Sequence, residues 1–297
     1  MALQAAREAA AAQHYPQSAL YVVATPIGNL ADIGLRALHV LAMVDAIACE
    51  DTRHTSGMLR IYGLERPSAQ LLAAHQHNEA EAAQTLLARL QQGERVAYVS
   101  DAGTPALSDP GARLVAAARA AGYAVIPLPG ASSVTTALSV AGIVDDTGFV
   151  FAGFLPSKAA ERDTAVQKLA AEPRAVVLLE APHRIEALAR ALAPLGTRLV
   201  TVGRELTKQF EEIASMAAQA LAPWLAAQST RTRGEFVLVV HPAPTEAPVE
   251  DLRVLKLLLA ELPLKAAVKL AAEITGQPRN ALYAAALKLR PQDDEEE

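Results

Sequence analysis

The segment Val96-Ala-Tyr-Val-Ser-Asp-Ala-Gly-Thr-Pro105 decides how the chain is read. Four apolar residues run straight into a Ser-Asp-Ala-Gly-Thr-Pro turn, with no polar residue alternating among them. A strand with one wet face alternates; a strand apolar at every position is covered on both faces, as in a parallel α/β sheet. The same arrangement recurs on either side. Leu20–Ala24 leads into Thr25-Pro-Ile-Gly-Asn-Leu30, and Ala46–Cys49 into Glu50-Asp-Thr-Arg-His-Thr55. Gln70–Ala74 leads into His75-Gln-His-Asn-Glu79, and Ala124–Leu128 into Pro129-Gly-Ala-Ser-Ser133. Helical periodicity separates them at 35–44, Glu79–Leu90 and Ala112–Ala121.

Further along, a second α/β block is expected. Its strands are Phe149–Leu155, Ala175–Leu179, Arg198–Val202 and Phe236–His241, with helices near Ala159–Ala171, Ile185–Leu192 and Ala214–Ala227. The predicted organisation is a flexible leader over 1–18, an N-terminal α/β domain over 19–144 and a second α/β domain over 145–243. A Pro-rich linker (244–250), a helix-turn-helix-like module (251–290) and an acidic tail (291–297) follow. In the module, helices are expected at Asp251–Leu262, Leu264–Thr275 and Pro278–Leu289.

Composition excludes several classes. With 52% hydrophobic and 20% charged residues among 297, wholesale disorder is ruled out. No uninterrupted apolar run reaches membrane-span length, and no secretory leader is expected at the start. The single cysteine, Cys49, cannot form an internal disulfide, which fits a cytoplasmic location. The formal charge of −5 is carried by Asp293–Glu297; without them 27 acidic residues face 27 basic ones. Residues 250–292 hold seven basic and four acidic residues, which suits either a solvated face or a nucleic-acid contact. The glycines never occur as Gly-x-Gly, so the dinucleotide fingerprint is absent. His75 and His77 would need a third ligand to hold a metal, and no metal centre is expected.

Functional residues of parallel α/β sheets gather at strand C-terminal ends. Five such ends here carry chemical handles together. Asp101 and Gly103 fit a ligand approaching the backbone, or an Asx turn. Ser132 and Ser133 open a helix and suit an anionic group, or a plain N-cap. In the second block Glu180, His183 and Arg184 cluster after a strand and can move a proton or form an exposed ion pair.

In this order, the loops resemble the bacterial small-subunit ribosomal RNA cytidine 2′-O-methyltransferases of the tetrapyrrole-methylase superfamily. The likeness rests on Ala24–Leu30, Cys49–Arg53, His77–Glu79, Ser100–Pro105, Ser108–Gly111, Phe154–Pro156, Ala181–Arg184 and Gly203–Lys208. It implies two α/β domains with S-adenosyl-L-methionine in the cleft between them, a helix-turn-helix appendage, a homodimer and 16S ribosomal RNA of the small subunit as partner. By position, the cofactor loops fall on Pro26, Gly28, Ser100, Asp101, Gly103, Thr104, Ser132, Ser133, Leu179 and Phe236. For such a transfer the candidate bases are Glu79, Glu180 and His183. The candidate cations are Arg53, Arg184, Arg204 and Lys208, with Arg184 and Lys208 expected to hold RNA phosphate. Further RNA contacts are expected at His54, Lys265, Lys269 and Arg279. Two other functions fit parts of the pattern: a small-molecule tetrapyrrole methylase, and a non-enzymatic nucleic-acid-binding regulator.

Overall fold

The computed structural model describes residues 2–75, 77–107, 111–144, 148–243, 252–277 and 279–289. Strands β1 (Ala19–Val23), β2 (Ala46–Cys49), β3 (Leu71–Ala73), β4 (Arg95–Val99) and β5 (Ala124–Leu128) form one sheet in the order β3-β2-β4-β1-β5. Every pairing in it is parallel. The unbroken apolar pattern has its expected cause. Tyr21, Val23, Ala97 and Val99 enter one core, while Leu20, Val96 and Tyr98 enter another on the opposite face.

Helices cover both faces. The first core is closed by α1 (Ala2–Ala10), α2 (Leu35–Met43) and α3 (Thr52–Ile61), the second by α4 (Glu79–Gln91) and α5 (Ala112–Ala120). Two sequence expectations are corrected here. The leader is not flexible over its length: α1 packs on α2 with Ala6 and Ala10 buried, because small side chains let the two helices approach closely. And Thr52–Ile61, not expected to be helical, is a helix because the Asp51 carboxylate caps it, accepting from the Arg53 and His54 N–H groups at 2.8 and 3.3 Å.

After β5 comes α6 (Ser133–Ala141), which leaves the first sheet. The second sheet is built from β6 (Phe149–Gly153), β7 (Ala175–Glu180), β8 (Leu199–Arg204), β9 (Glu212–Ala217) and β10 (Phe236–Val240), in the order β6-β7-β10-β8-β9. It is mixed: β6 and β7 are parallel, whereas β10 runs antiparallel to β7 and β8, and β9 antiparallel to β8. One face is covered by α7 (Ala159–Ala170), α8 (Ile185–Leu192) and α9 (Leu221–Ala226), the other by α6. The helix expected over Ala214–Ala227 is therefore half wrong. Its first residues are the edge strand β9, whose alternating exposure is that of a one-sided strand. By sequence α6 belongs to the first domain; by packing its Val134, Ala137 and Ala141 lie on Val177, Val237 and Val239 of the second sheet.

Residues 1–243 form one compact unit and residues 244–297 another. In the second, α10 (Leu252–Glu261), α11 (Leu264–Thr275) and α12 (Arg279–Leu289) pack around Leu255, Val268, Ala271, Leu282 and Ala286. The expected linker 244–250 and acidic tail 291–297, and the junction at 145–147, lie outside the described residues. Among the described residues no helix is long and apolar enough to cross a membrane.

The docking of α1 is testable. Ala6→Asp places a carboxylate where no water reaches, so either the charge is buried or the helix undocks. Urea unfolding should show about 1–3 kcal/mol lost stability; an unchanged midpoint would mean that α1 contributes nothing to the first unit.

Candidate active site

The C-terminal edges of the two sheets enclose a cavity of about 290 Å³. From the first sheet come Ile27 after β1, Thr104 and Leu107 after β4, and Ser132 and Ser133 at the start of α6. From the second come Phe154 after β6, Leu179 to Pro182 at the end of β7, and Gly203, Leu206 and Lys208 at the end of β8. Because β10 runs the other way, its beginning, Glu235 and Phe236, lies at the same edge. Of the residues expected at the cofactor, Thr104, Ser132, Ser133, Leu179 and Phe236 line this cavity, and of the catalytic candidates Glu180 and Lys208 do.

The other expected cofactor residues build the wall without being part of it. Thr25 and Gly103 exchange backbone hydrogen bonds at 2.9 and 3.0 Å, tying the loops after β1 and β4 together. The Thr25 hydroxyl donates to the Ser100 carbonyl, and the Ser100 hydroxyl to the carbonyls of Ala102 and Gly103. Asp101 accepts from the Asp51 N–H at 3.2 Å, and its own N–H donates to Glu50 at 3.3 Å. Thr104 donates to the Ala131 carbonyl at 3.1 Å, binding this loop to the start of α6. Ser132 stands at the cap position of α6 but makes no capping side-chain bond, so capping does not account for it. Pro26 belongs to the same turn after β1. Gly28 approaches Lys208 so closely that a Cβ there would lie 2.4 Å from the lysine Cγ.

Glu180 is 3% exposed although it sits at a strand end. Its Oε1 accepts the Ala181 N–H at 2.9 Å and lies 3.0 Å from Nε of Arg184, an ion pair without hydrogen-bond alignment. Its Oε2 is buried with no partner. After the end of β8 in the same sheet, Lys208 Nζ is held at 3.0 Å by Glu205 and 2.7 Å by Glu235. Burial alone would lower the lysine pKa; the hydrogen bonds to Glu235 and Glu205 outweigh it and hold the ammonium above its ordinary value. For Glu205 burial pushes upward, but the Glu235 N–H and Lys208 pull the carboxyl below the usual range. Glu205 lies in the Gly203–Lys208 stretch and Glu235 beside Phe236, both of which the sequence points to, but neither carboxylate is given a role there. The one available signal was the spacing from Glu205 to Lys208, which is that of a local ion pair.

Several candidates stand elsewhere. Glu79 accepts from the Gly111 N–H at 2.8 Å and pairs with Arg113 at 3.3 Å, fastening α4 to α5 outside the cavity wall. His183 is exposed and outside the wall. Arg184 gives Nη1 to the Ser157 hydroxyl at 3.0 Å and Nη2 to the Leu155 carbonyl, so its guanidinium is spent on a loop. Arg204 is 8% exposed and donates to the carbonyls of Arg233 and Phe210, which makes it a strut of the second sheet. Arg53 and His54 are exposed on α3, where Arg53 pairs with Asp51 at 3.3 Å. In the C-terminal unit, Lys265, Lys269 and Arg279 border one depression together with Asn280 and Tyr283. Cys49 is buried, and burial pushes its thiol up to about 11, away from any nucleophilic use.

Comparison with known proteins places this geometry. The model of the Tetrapyrrole (Corrin/Porphyrin) Methylases matches residues 19–222, and that of the RsmI C-terminal HTH domain matches residues 245–290. Ribosomal RNA small subunit methyltransferase I of Escherichia coli O157:H7 is 50% identical over 92% of this chain and 96% of its own length. The protein of that name from Neisseria meningitidis serogroup B is 46% identical over 90% and 92%. The chain belongs to the ribosomal RNA small subunit methyltransferase I family. Two solved structures share the fold of this methyltransferase: cobalt precorrin-4 methyltransferase (TM-score 0.54, 18% identity, 75% of this chain and 94% of that one) and diphthine synthase (TM-score 0.56, 14% identity, 75% and 90%). At these identities they speak for the fold alone.

The Glu205–Lys208 pair carries a pH signature. A carboxyl whose pKa is lower folded than unfolded adds stability that is fully present above the unfolded value, about 4.3, and is lost as the pH falls through the folded one. Glu205→Gln should therefore lower the urea midpoint of the methyltransferase at pH 7, with the gap to wild type closing as the pH drops towards 3. Parallel midpoints across that range would show that the pairing contributes no stability.

Proposed function

We propose that this protein methylates the ribose 2′-oxygen of a cytidine in 16S ribosomal RNA, in the small ribosomal subunit, using S-adenosyl-L-methionine. The reading is carried by one observation: a buried carboxylate oxygen, Oε2 of Glu180, without a partner in the wall of a cavity rimmed by both sheets. A native fold rarely leaves such an atom orphaned unless a ligand or a reacting proton completes it. The names of the close relatives supply the substrate class.

The residues present fit the donor. Val134, Leu206, Phe236 and Val237 are buried and form an apolar inner wall suited to an adenine ring, with Leu179 beside it. Thr104, Ser132 and Ser133 would hold its carboxylate at the beginning of the nine-residue helix α6. When bound, S-adenosyl-L-methionine supplies a methyl group on a cationic sulfur that departs as a neutral thioether. The protein's share is alignment, exclusion of water and care of one proton. Glu180 Oε2 accepts the proton of the ribose hydroxyl as the oxygen attacks. Lys208 has three N–H donors, of which Glu205 and Glu235 take two, leaving one for the charge developing on that oxygen. Arg184 acts here as the clamp of Glu180 and not as a phosphate ligand.

The C-terminal unit supports an RNA substrate. Lys265, Lys269 and Arg279 lie around one depression with the half-exposed Tyr283, a combination of cations and an aromatic face that suits a phosphate backbone with an unstacked base. A homodimer and a cytoplasmic location go with this reading as further proposals.

Two outcomes are expected. Glu180→Gln should slow single-turnover methylation of small subunits at least a hundredfold while cofactor affinity by calorimetry stays within about threefold. Retention of the wild-type rate would remove Glu180 from the chemistry. The full-length triple variant Lys265→Ala, Lys269→Ala, Arg279→Ala should bind small subunits more weakly and lower the salt slope of binding by about 2–3, with cofactor affinity unaltered. An unchanged slope would take the C-terminal depression out of the RNA interface.

A further inference from the structure

The cavity wall is apolar in two different ways. Its inner part is covered, as Val134, Leu206, Phe236 and Val237 all are. Its rim holds two large apolar side chains left in water: Phe154 from the second sheet, 52% exposed, and Leu107 from the first, 47% exposed. Exposed apolar bulk at the edge of a site is a mark of binding and not of packing.

The backbone goes out of its way to put the phenyl ring there. In β6, Phe149, Val150 and Phe151 pair in step with Ala175, Val176 and Val177, but the next partner of Leu178 is Gly153, so Ala152 is an extra residue. Gly153 has φ of +64°, a conformation that favours glycine. One inserted residue reverses the alternation of side chains from that point on. The reversal is visible in the cores. Val150 packs on the cluster that also contains Leu155, although residues of opposite parity point to opposite faces of a regular strand, and Phe151 packs on the other cluster. Regular pairing would have sent Phe154 into the core beside Val150. The bulge sends Leu155 there instead and turns Phe154 to the cavity.

The turned-out segment is also fastened. Leu155 is buried, its carbonyl accepts from Arg184 Nη2, and Ser157 accepts from Nη1. The same guanidinium lies 3.0 Å from Glu180. The ring is thus joined through one arginine to the carboxylate that meets the ribose hydroxyl. In a nucleotide the base hangs on C1′, the carbon adjacent to the one bearing the 2′-oxygen, so a ribose presented to Glu180 carries its base to the nearby rim.

We infer that Phe154 is the stacking platform for the pyrimidine base of the acceptor nucleotide, holding that base unstacked from its RNA neighbours while the ribose faces Glu180. This rests on the ribose-methylation reading above. Phe154 is a positioning residue: its ring face binds the base and takes no part in the proton or methyl transfer. Unstacked bases of single-stranded RNA are commonly held by stacking on an aromatic side chain, and one aromatic face is enough to replace a lost neighbour.

The test uses full-length Phe154→Ala, Phe154→Leu and Phe154→Trp with isolated small subunits as acceptor. Calorimetry with S-adenosylmethionine is run on each protein. Removing the ring should lower kcat/KM for subunits about tenfold to a hundredfold, the span of one base–aromatic stack. Donor affinity should remain within about twofold of wild type. Phe154→Trp should recover most of the activity, and Phe154→Leu, which keeps apolar bulk without a π face, should not. Full activity in Phe154→Leu overturns the inference. So does a loss of donor affinity that parallels the loss of activity, because the ring would then be packing the donor. If wild type itself transfers no methyl to subunits, the underlying reading fails and this inference fails with it; if wild type is active and all three variants match it, only this inference fails.

Discussion

Helix α6 is the constraint on which the site depends. It leaves the first sheet at Ser133 and lays Val134, Ala137 and Ala141 on the underside of the second, against Val177, Val237, Val239 and Leu206. Ile27, from the turn after β1, packs on the same cluster, so residues of both sheets share one core. Buried area of this kind is worth about 25 cal/mol per Å², a few kcal/mol for such a small face. Its importance exceeds that figure because the contact has only one geometry. With α6 seated, the carboxyl ends of β1 and β4 confront those of β7 and β8, and a cavity exists between them. Small alanines on the helix keep the approach close; a larger residue at Ala137 would lift one rim from the other.

Around that cavity the charges divide into those the fold consumes and those it leaves available. The arginines are consumed. Arg204 donates to the carbonyls of Arg233 and Phe210, and Arg184 to the Leu155 carbonyl and Ser157. A guanidinium has five donors in a planar fork, which suits it to stapling loop carbonyls that would otherwise be orphaned. What remains is one carboxylate oxygen on Glu180 and one ammonium, on Lys208, held by two acids. A carboxylate and a cation that both line one largely apolar cavity from the second sheet are the equipment on which the proposed alkylation of a hydroxyl rests. A buried charge left half-satisfied costs the fold stability, and it persists where a ligand repays that cost.

The regularities of β6 and β7 belong to the same economy. A bulge in one strand turns a phenyl ring outward, and the arginine that holds the ring's segment also holds the carboxylate at the end of the neighbouring strand. Phe154 and Glu180 are thereby placed through a short chain of contacts and not through separate loops. The C-terminal helices add a basic depression whose members come from α11 and α12, brought together by packing of Leu255, Val268 and Leu282.

Much of this was legible along the chain. Strands apolar at every position announce a sheet covered on both faces, and β2, β5, α8 and α11 begin and end where their patterns do. Edge strand β9 was misread because its alternating residues mimic a helix face over so short a run, and α3 was missed because its stabilising signal is a single cap, Asp51. Strand ends rich in Asp, Ser, Thr and Gly pointed to the right rim. Among them, however, charged residues met different fates: Glu79 became a fastener between helices, Glu180 a carboxylate with one oxygen left without a partner, Arg204 a strut. Period, caps and turn residues act between near neighbours, so the order of amino acids determined the elements, the sheet class and the decorated edge. Whether a carboxylate is satisfied was decided only by tertiary packing: α4 docked on α5 brings Glu79 to Gly111 and Arg113, whereas the burial of the end of β7 in the cavity wall leaves one oxygen of Glu180 without a partner.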